Sequence, residues 1–254
     1  MAESSTAKKR TAKKPATKKK SAKKHEKLSL AARFRRFVRR VVLWGGLAVA
    51  SVVVIWTLLY TVINPPTTPY MRAEGVRLQG VSQDWVPIEE IAPIMARAVV
   101  AAEDANFCLH WGLDLNAIRD AVDRGRGGAS TISQQVVKNV FLWQGRSWSR
   151  KALEAVWTPL AEAIWTKRRI VEIYLNVAEF AEGVFGVQAA ARHYFGVDAA
   201  NLSPTQAGRL AAILPSPKNR SASNPSSFTR ARAQAILGGA ATIAADGRSD
   251  CFES

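Results

Sequence analysis

Three polar segments, spread over about 55 residues, hold the side chains with the widest chemical reach. The first, EDANFCLHWG at residues 103–112, follows the apolar run RAVVAA, so Glu103 and Asp104 fall at the edge of buried structure. Partial desolvation makes a carboxylate a stronger proton acceptor, which suits a general base, and an adjacent acid or His110 could tune it. The same residues also fit a helix C-terminus with two solvated acids and a core histidine. The second, GRGGASTISQQVVKN at residues 125–139, sets Ser130, Thr131, Gln134 and Gln135 ahead of Lys138. It reads as a loop that holds a phosphate or a sugar, although not as a P-loop, because the Gly-Lys-Ser/Thr ending is missing. A Gly-rich loop whose Ser130 caps a helix fits equally well. The third, RSWSRKALEAVW at residues 146–157, sets Arg146, Arg150 and Lys151 ahead of Glu154. With Ser149 as the cap, Arg150 and Lys151 fall in the first helical turn, where the dipole disfavours cations unless an anion is shared. A diphosphate ligand answers that conflict, and so does a solvated basic face beside anionic lipid headgroups.

Two separated acids with cations and neutral polar groups suit glycosyl transfer. In an inverting reaction one carboxylate removes a proton from the attacking hydroxyl, on the face opposite the leaving group. A diphosphate leaving group needs no general acid, because Lys, Arg or a divalent cation stabilises the developing charge. An ordinary glycosidase, by contrast, must protonate a sugar oxygen.

These residues need a helical scaffold. Apolar residues recur at helical spacing over residues 87–102, 114–123, 149–176, 187–195, 204–214 and 228–245, separated by Gly, Ser, Asn and Pro clusters. Neither a hairpin signal nor βαβ alternation is present, so the fold class is mainly α, with at most a small β element around residues 76–81. Pro159 lies inside a helical pattern and should kink it.

Ahead of this domain, residues 41–63 carry no formal charge and at about 1.5 Å per residue reach roughly 35 Å, enough for a hydrocarbon core of about 30 Å. The segment predicts an uncleaved transmembrane helix. Arg33, Arg35, Arg36, Arg39 and Arg40 precede it, and an uncharged Pro-rich connector follows. The positive-inside rule therefore predicts a cytoplasmic N-terminus and an extracytoplasmic domain over residues 64–254. The formal charge of +16 is unevenly spread: residues 1–40 hold sixteen Lys/Arg against two Glu, a net of +14, leaving +2 for the rest. This predicts a disordered basic arm over residues 1–40, whose partner is a nucleic acid, an anionic membrane surface or nothing beyond solvent. Two cysteines, Cys108 and Cys251, exclude a disulfide-stapled mini-protein and are read as unpaired.

EDANFCLHWG, GGASTISQQVVKN, RKALEAVW and KRRIVEIYLN, followed by GVFGVQAAARHYFG and AAILPSPKN, resemble the successive motifs of the peptidoglycan glycosyltransferases, glycosyltransferase family 51. The resemblance runs in order from about residue 65 to 225 and is strongest to the monofunctional members, because the chain ends where two-domain members continue into a transpeptidase. The only Ser-x-x-Lys strings, at Ser5 and Ser21, lie in the basic arm, and no Lys-Thr-Gly occurs. The resemblance implies a lysozyme-like helical domain that polymerises lipid II into β-1,4 glycan strands at the bacterial inner membrane, with its catalytic domain in the periplasm. It implies Glu103 as the base on the acceptor hydroxyl and Glu154 as the second essential acid, orienting the donor or a bound divalent cation. Lys138, Arg146 and Arg150 match positions that hold the donor diphosphate, with Ser130, Thr131, Gln134 and Gln135 shaping the loop beside them. Lys167, Tyr174 and Asn176 match a helix motif of structural character, and His110 and Phe107 are taken as packing residues. Gln206 departs from the family's usual Glu. No metal ligand set and no obligatory cofactor is expected, with Mg or Mn at the diphosphate as an option; the growing glycan strand, the membrane and other cell-wall synthesis proteins are the expected partners. A membrane-anchored muramidase and a non-enzymatic scaffold are the competing readings.

Overall fold

The structure, a computed structural model, describes residues 30–123, 125, 128–145 and 147–253. The chain divides into two compact units, residues 1–49 and 50–254. Helix α1, Leu30–Leu59, starts in the first, where nearly every side chain is exposed, Leu43, Trp44 and Leu47 among them. It is long and apolar enough to cross a membrane. Two boundaries differ from expectation. Residues 30–40 are helical, not part of a disordered arm, because straight-chain Arg and Leu favour continuing the helix backwards; the rest of the basic arm lies outside the described residues. The helix also ends at Leu59, four residues before the expected limit, in turns where Thr61 N donates to Leu58 O (3.1 Å) and Ile63 N to Leu59 O (2.9 Å).

The second unit is a helical domain: α2 (Pro69–Leu78), α3 (Pro93–Glu103), α4 (Leu115–Asp123), α5 (Ile132–Phe141), α6 (Trp148–Ile164), α7 (Lys167–Val177), α8 (Val187–Phe195), α9 (Pro204–Ile213), α10 (Ser227–Ala245) and α11 (Asp250–Glu253). Short hydroxyl side chains start most of them, each accepting an otherwise orphaned backbone N–H. The cap of α5 is Thr131 rather than Ser130, closed into a capping box by Gln134. The cap of α6 is Ser147 rather than Ser149, and the helix runs on through Pro159. The long helix expected over residues 149–176 is two helices, because Thr166 caps a fresh start at α7. Gln206 completes a capping box with Ser203, so an amide does there the local work a carboxylate could do.

A three-stranded sheet flanks the helices, in the order β1 (Ser82–Gln83), β3 (Val184–Phe185), β2 (Glu179–Ala181). β2 and β3 pair antiparallel, a tight hairpin that the sequence reading did not anticipate; of the residues expected to be β, 76–78 lie in α2 and 79–81 lead into β1. Such strands are too short to show a period of two. The core is built mainly of apolar side chains: Met95, Val99 and Val100 of α3, Leu210 and Ile213 of α9, and Ile132, Val136 and Val137 of α5 are essentially inaccessible. α9 approaches α10 at Gly208, where a Cβ would lie 2.9 Å from Leu237 Cγ and 3.1 Å from the Ala233 carbonyl oxygen. Asn176, fully buried, bonds both the N–H and the carbonyl of Val86 at 2.9 Å and so ties α7 to the segment ahead of α3.

Two ties close the domain. Cys108 and Cys251 form a disulfide with Cα atoms 5.8 Å apart, which overturns the expectation of free thiols; a sequence separation of 143 hid their proximity. The other is at the exit of α1. Trp157 Nε1 donates to Thr57 Oγ1 (2.9 Å), Trp165 Nε1 to Thr57 O (2.8 Å), and Arg169 to the carbonyls of Tyr60 (3.0 Å) and Ile63 (3.1 Å). Phe141, at the end of α5, stacks on Trp157 with centroids 4.4 Å apart.

Candidate active site

Glu103 is the last residue of α3 and is half-buried. Its Oε2 accepts from Gln135 Nε2 at 3.0 Å, and Gln135 Oε1 accepts from the Tyr174 hydroxyl at 3.3 Å. Burial, and then the charge of Glu103, push the Tyr174 phenol well above its usual range, so it stays a proton donor in this chain. A carboxylate from α3 is thereby oriented by α5, which is oriented in turn by α7. The neighbouring Asp104 is buried and faces inward: Oδ2 accepts from Ile132 N at 3.0 Å, at the positive end of α5, and Oδ1 bonds His110 Nε2 at 2.8 Å. Lys167 completes this support, donating to His110 O (2.8 Å) and Glu162 (2.9 Å) while lying 4.2 Å over the Phe107 ring. Gly112 makes the last turn of the segment at φ +79°, where any Cβ would meet Thr158 Cγ2 at 2.7 Å.

Lys138 follows Gln135 by three residues, so both lie on one face of α5. Desolvation pulls its ammonium below the usual lysine range, against the opposing pull of Glu154 and Glu103 and with the help of Arg150 and Lys151. These five charged groups therefore share one electrostatic neighbourhood. Glu154, on α6, is 2% exposed and bonded on both oxygens: Oε2 by Arg150 Nη1 at 2.6 Å, Oε1 by Lys151 Nζ. Arg150 also donates to Gly145 O (3.0 Å) and is itself buried. Lys151 is more exposed and reaches Ser130 Oγ at 3.2 Å. The expected conflict between the dipole of α6 and its first-turn cations is thus met within the chain, by Glu154 one turn along.

The structure therefore brings together Glu103, Gln135, Lys138, Ser130, Arg150 and Glu154. Thr131 and Gln134 enter as builders of the α5 start: they bond each other, and the Thr131 hydroxyl donates to Gly112 O at 2.6 Å. Arg146 lies outside the described residues. Glu103 opens on a hollow of about 180 Å³ lined by Asp104, Asn106, Asp114, Gly128 and Ser130. Gln135 and Lys138 face a neighbouring hollow of about 320 Å³, shared with Tyr70, Tyr174, Glu179 and Lys218. The last of these carries a cation that sequence reasoning gave no role. Lys218 pairs with Glu74 at 2.9 Å and approaches Glu179 at 3.7 Å. Its signal was the Pro-Ser-Pro-Lys string after α9, where prolines hold a lysine on a rigid turn.

A divalent cation fits this donor set poorly. Both oxygens of Glu154 are engaged, and no group of three or more His, Cys, Asp or Glu side chains converges among the described residues. The arrangement does offer a half-buried carboxylate held by an amide, with cations beside it. That set can take a proton from a neutral hydroxyl and stabilise an anionic leaving group.

Comparison with known proteins points the same way. Residues 72–241 match the family described as Transglycosylase. Over 228 residues the chain is 55% identical to a biosynthetic peptidoglycan transglycosylase of Jannaschia sp. (strain CCS1), an alignment covering 89% of this chain and 95% of that one. Proteins of the same description from Caulobacter vibrioides and Xanthomonas oryzae pv. oryzae are 42% and 47% identical, over 85% and 87% of this chain and 97% of each relative.

Proposed function

The chain belongs to the transglycosylase family, and from that premise we propose how its residues carry out the reaction. It is a membrane-anchored peptidoglycan glycosyltransferase with a lysozyme-like helical domain. Its substrates are lipid II and the growing glycan strand. Glu103 takes the proton from the 4-hydroxyl of the acceptor GlcNAc through Oε1 while Gln135 holds Oε2. The acceptor oxygen attacks the anomeric carbon of the donor MurNAc, inverts it to a β-1,4 link and releases undecaprenyl diphosphate. Lys138 and Lys151, with Arg146, take up the charge developing on that diphosphate, while Arg150 fixes Glu154, which in turn holds Lys151. In this reading the side chains themselves supply the charge that stabilises the diphosphate.

The observation that carries this reading is the pairing on α5 of Gln135, bonded to the base, with Lys138, one turn on in the cation cluster. A muramidase would instead need an acid beside a sugar oxygen, and the second acid here is enclosed between two cations. Two features support a periplasmic domain: five arginines precede the apolar part of α1, and the Cys108–Cys251 disulfide suits an oxidising compartment. The catalytic domain is therefore periplasmic, on the outer face of the inner membrane.

Glu103→Gln keeps the hydrogen bond from Gln135 within reach and removes the base. The expected result is a loss of lipid II polymerisation by about 10²-fold or more, with an unchanged circular dichroism spectrum and melting temperature. A variant that polymerises at the wild-type rate would remove Glu103 from this role.

A further inference from the structure

We propose that residues 246–253 form a strap, closed by the Cys108–Cys251 disulfide, that positions the loop following Glu103. The inference rests on Glu103 as the base and adds a covalent requirement to it. The loop, residues 104–110, leaves α3 immediately after Glu103, and the strap contacts it at successive points. Arg248 Nη1 reaches Ala105 O (3.3 Å) and Asn106 Oδ1 (3.4 Å), and the ring of Phe252, 1% exposed, lies 6.4 Å from that of Phe107. Cys251 bonds Cys108. From the other side Glu253 pairs with Arg97 of α3 at 2.9 Å, and Arg168 of α7 donates to the carbonyls of Phe252 (3.1 Å) and Glu253 (3.3 Å).

Besides the buried Phe252 ring and the hydrogen bonds from Arg168, the disulfide ties the strap covalently to the loop. α11 is four residues long, too short to be stable by itself, and its ion pairs are partly solvated. A cross-link across 143 residues restricts the open chain far more than such contacts do. Closure is a two-electron step: the Cys108 and Cys251 thiols lose two electrons and two protons to an exchanging disulfide, which leaves as two thiols. Full activity is then reached only after the domain arrives in an oxidising compartment.

The test uses full-length protein in detergent with lipid II as substrate. Three forms are compared: oxidised wild type, wild type reduced by dithiothreitol to two titratable thiols, and Cys251→Ala. At a temperature where all three are folded, kcat of the reduced and Cys251→Ala forms should fall about tenfold while KM for lipid II moves less than about twofold. Oxidised glutathione should restore reduced wild type and leave Cys251→Ala unchanged. A lower melting temperature with undiminished kcat would make the bond a brace for stability alone and overturn the proposal. Should the bond resist reduction in the folded protein, Cys251→Ala decides; should that variant not fold, reduced wild type decides. Glu103→Gln is assayed alongside. An inactive Glu103→Gln beside fully active reduced enzyme defeats the strap only, whereas an active Glu103→Gln defeats the assignment of the base.

Discussion

Burial at Lys138 disfavours its ammonium, and although Glu154 and Glu103 favour it, the net direction is down. The functional sign follows: a lysine with a lowered pKa loses its charge at a lower pH than the usual value of about 10.4. In the free enzyme kcat/KM should therefore decline on the alkaline side earlier than an ordinary lysine would require. A bound diphosphate restores the charged form, so the limb in kcat should lie higher. In Lys138→Arg, whose guanidinium does not titrate in this range, the early alkaline decline should be lost and the limb should move to higher pH, while part of the activity survives. A limb persisting in that variant would assign it to another group. At this scale much could be read from sequence: an acid pair ending an apolar run, a lysine three residues after a glutamine. The bond between Gln135 and Glu103 could not, since it joins side chains 32 positions apart and exists only once α3 packs on α5.

Elements were legible where their ends were punctuated. α8 matches its expected span because Gly186 and Gly196 bracket it at φ +81° and +66°, a conformation that ends regular structure. α5 was left between a ligand-holding loop and a helix capped by Ser130, because its polar Ser-Gln-Gln start hid an apolar face, although Thr131 and Gln134 carry the spacing of a capping box. Residues 57–63 were read as the end of the transmembrane helix, and Thr57, Tyr60 and Ile63 are bonded into the catalytic domain through Trp157, Trp165 and Arg169. Trp157→Ala removes a ring stacked on Phe141 and a hydrogen bond, and should cost about 3 kcal/mol. Trp157→Phe keeps the stack and should cost about 1 kcal/mol. Melting temperatures in detergent check the order. Because Phe141 ends the helix that carries Lys138, the alanine variant should also raise KM for lipid II, and an unchanged KM would confine the cluster to stability.

For the molecule as a whole, charge and chemistry are separable. The cations of the cleft belong to a domain of nearly balanced charge, whereas the excess lies ahead of the membrane span. Residues 1–29 contain eleven Lys/Arg and two Glu, yet the five arginines adjoining the apolar segment all lie after them, within α1. Orientation depends on charges close to the span, so in the proposed topology those arginines, rather than the arm, hold the N-terminus inside. The proposed topology sets the arm and the diphosphate site on opposite sides of the membrane, and exposed charges are screened within about 8 Å at physiological ionic strength. Deleting residues 2–29 should therefore leave polymerisation in neutral detergent within about twofold of wild type, and should leave protease accessibility of the catalytic domain in spheroplasts unchanged. Affinity for vesicles containing anionic lipid, by contrast, should fall, at about 1 kcal/mol for each Lys/Arg that had lain at the surface. A collapse of activity in detergent would mean that the arm contributes to catalysis and that the separation of charge from chemistry fails.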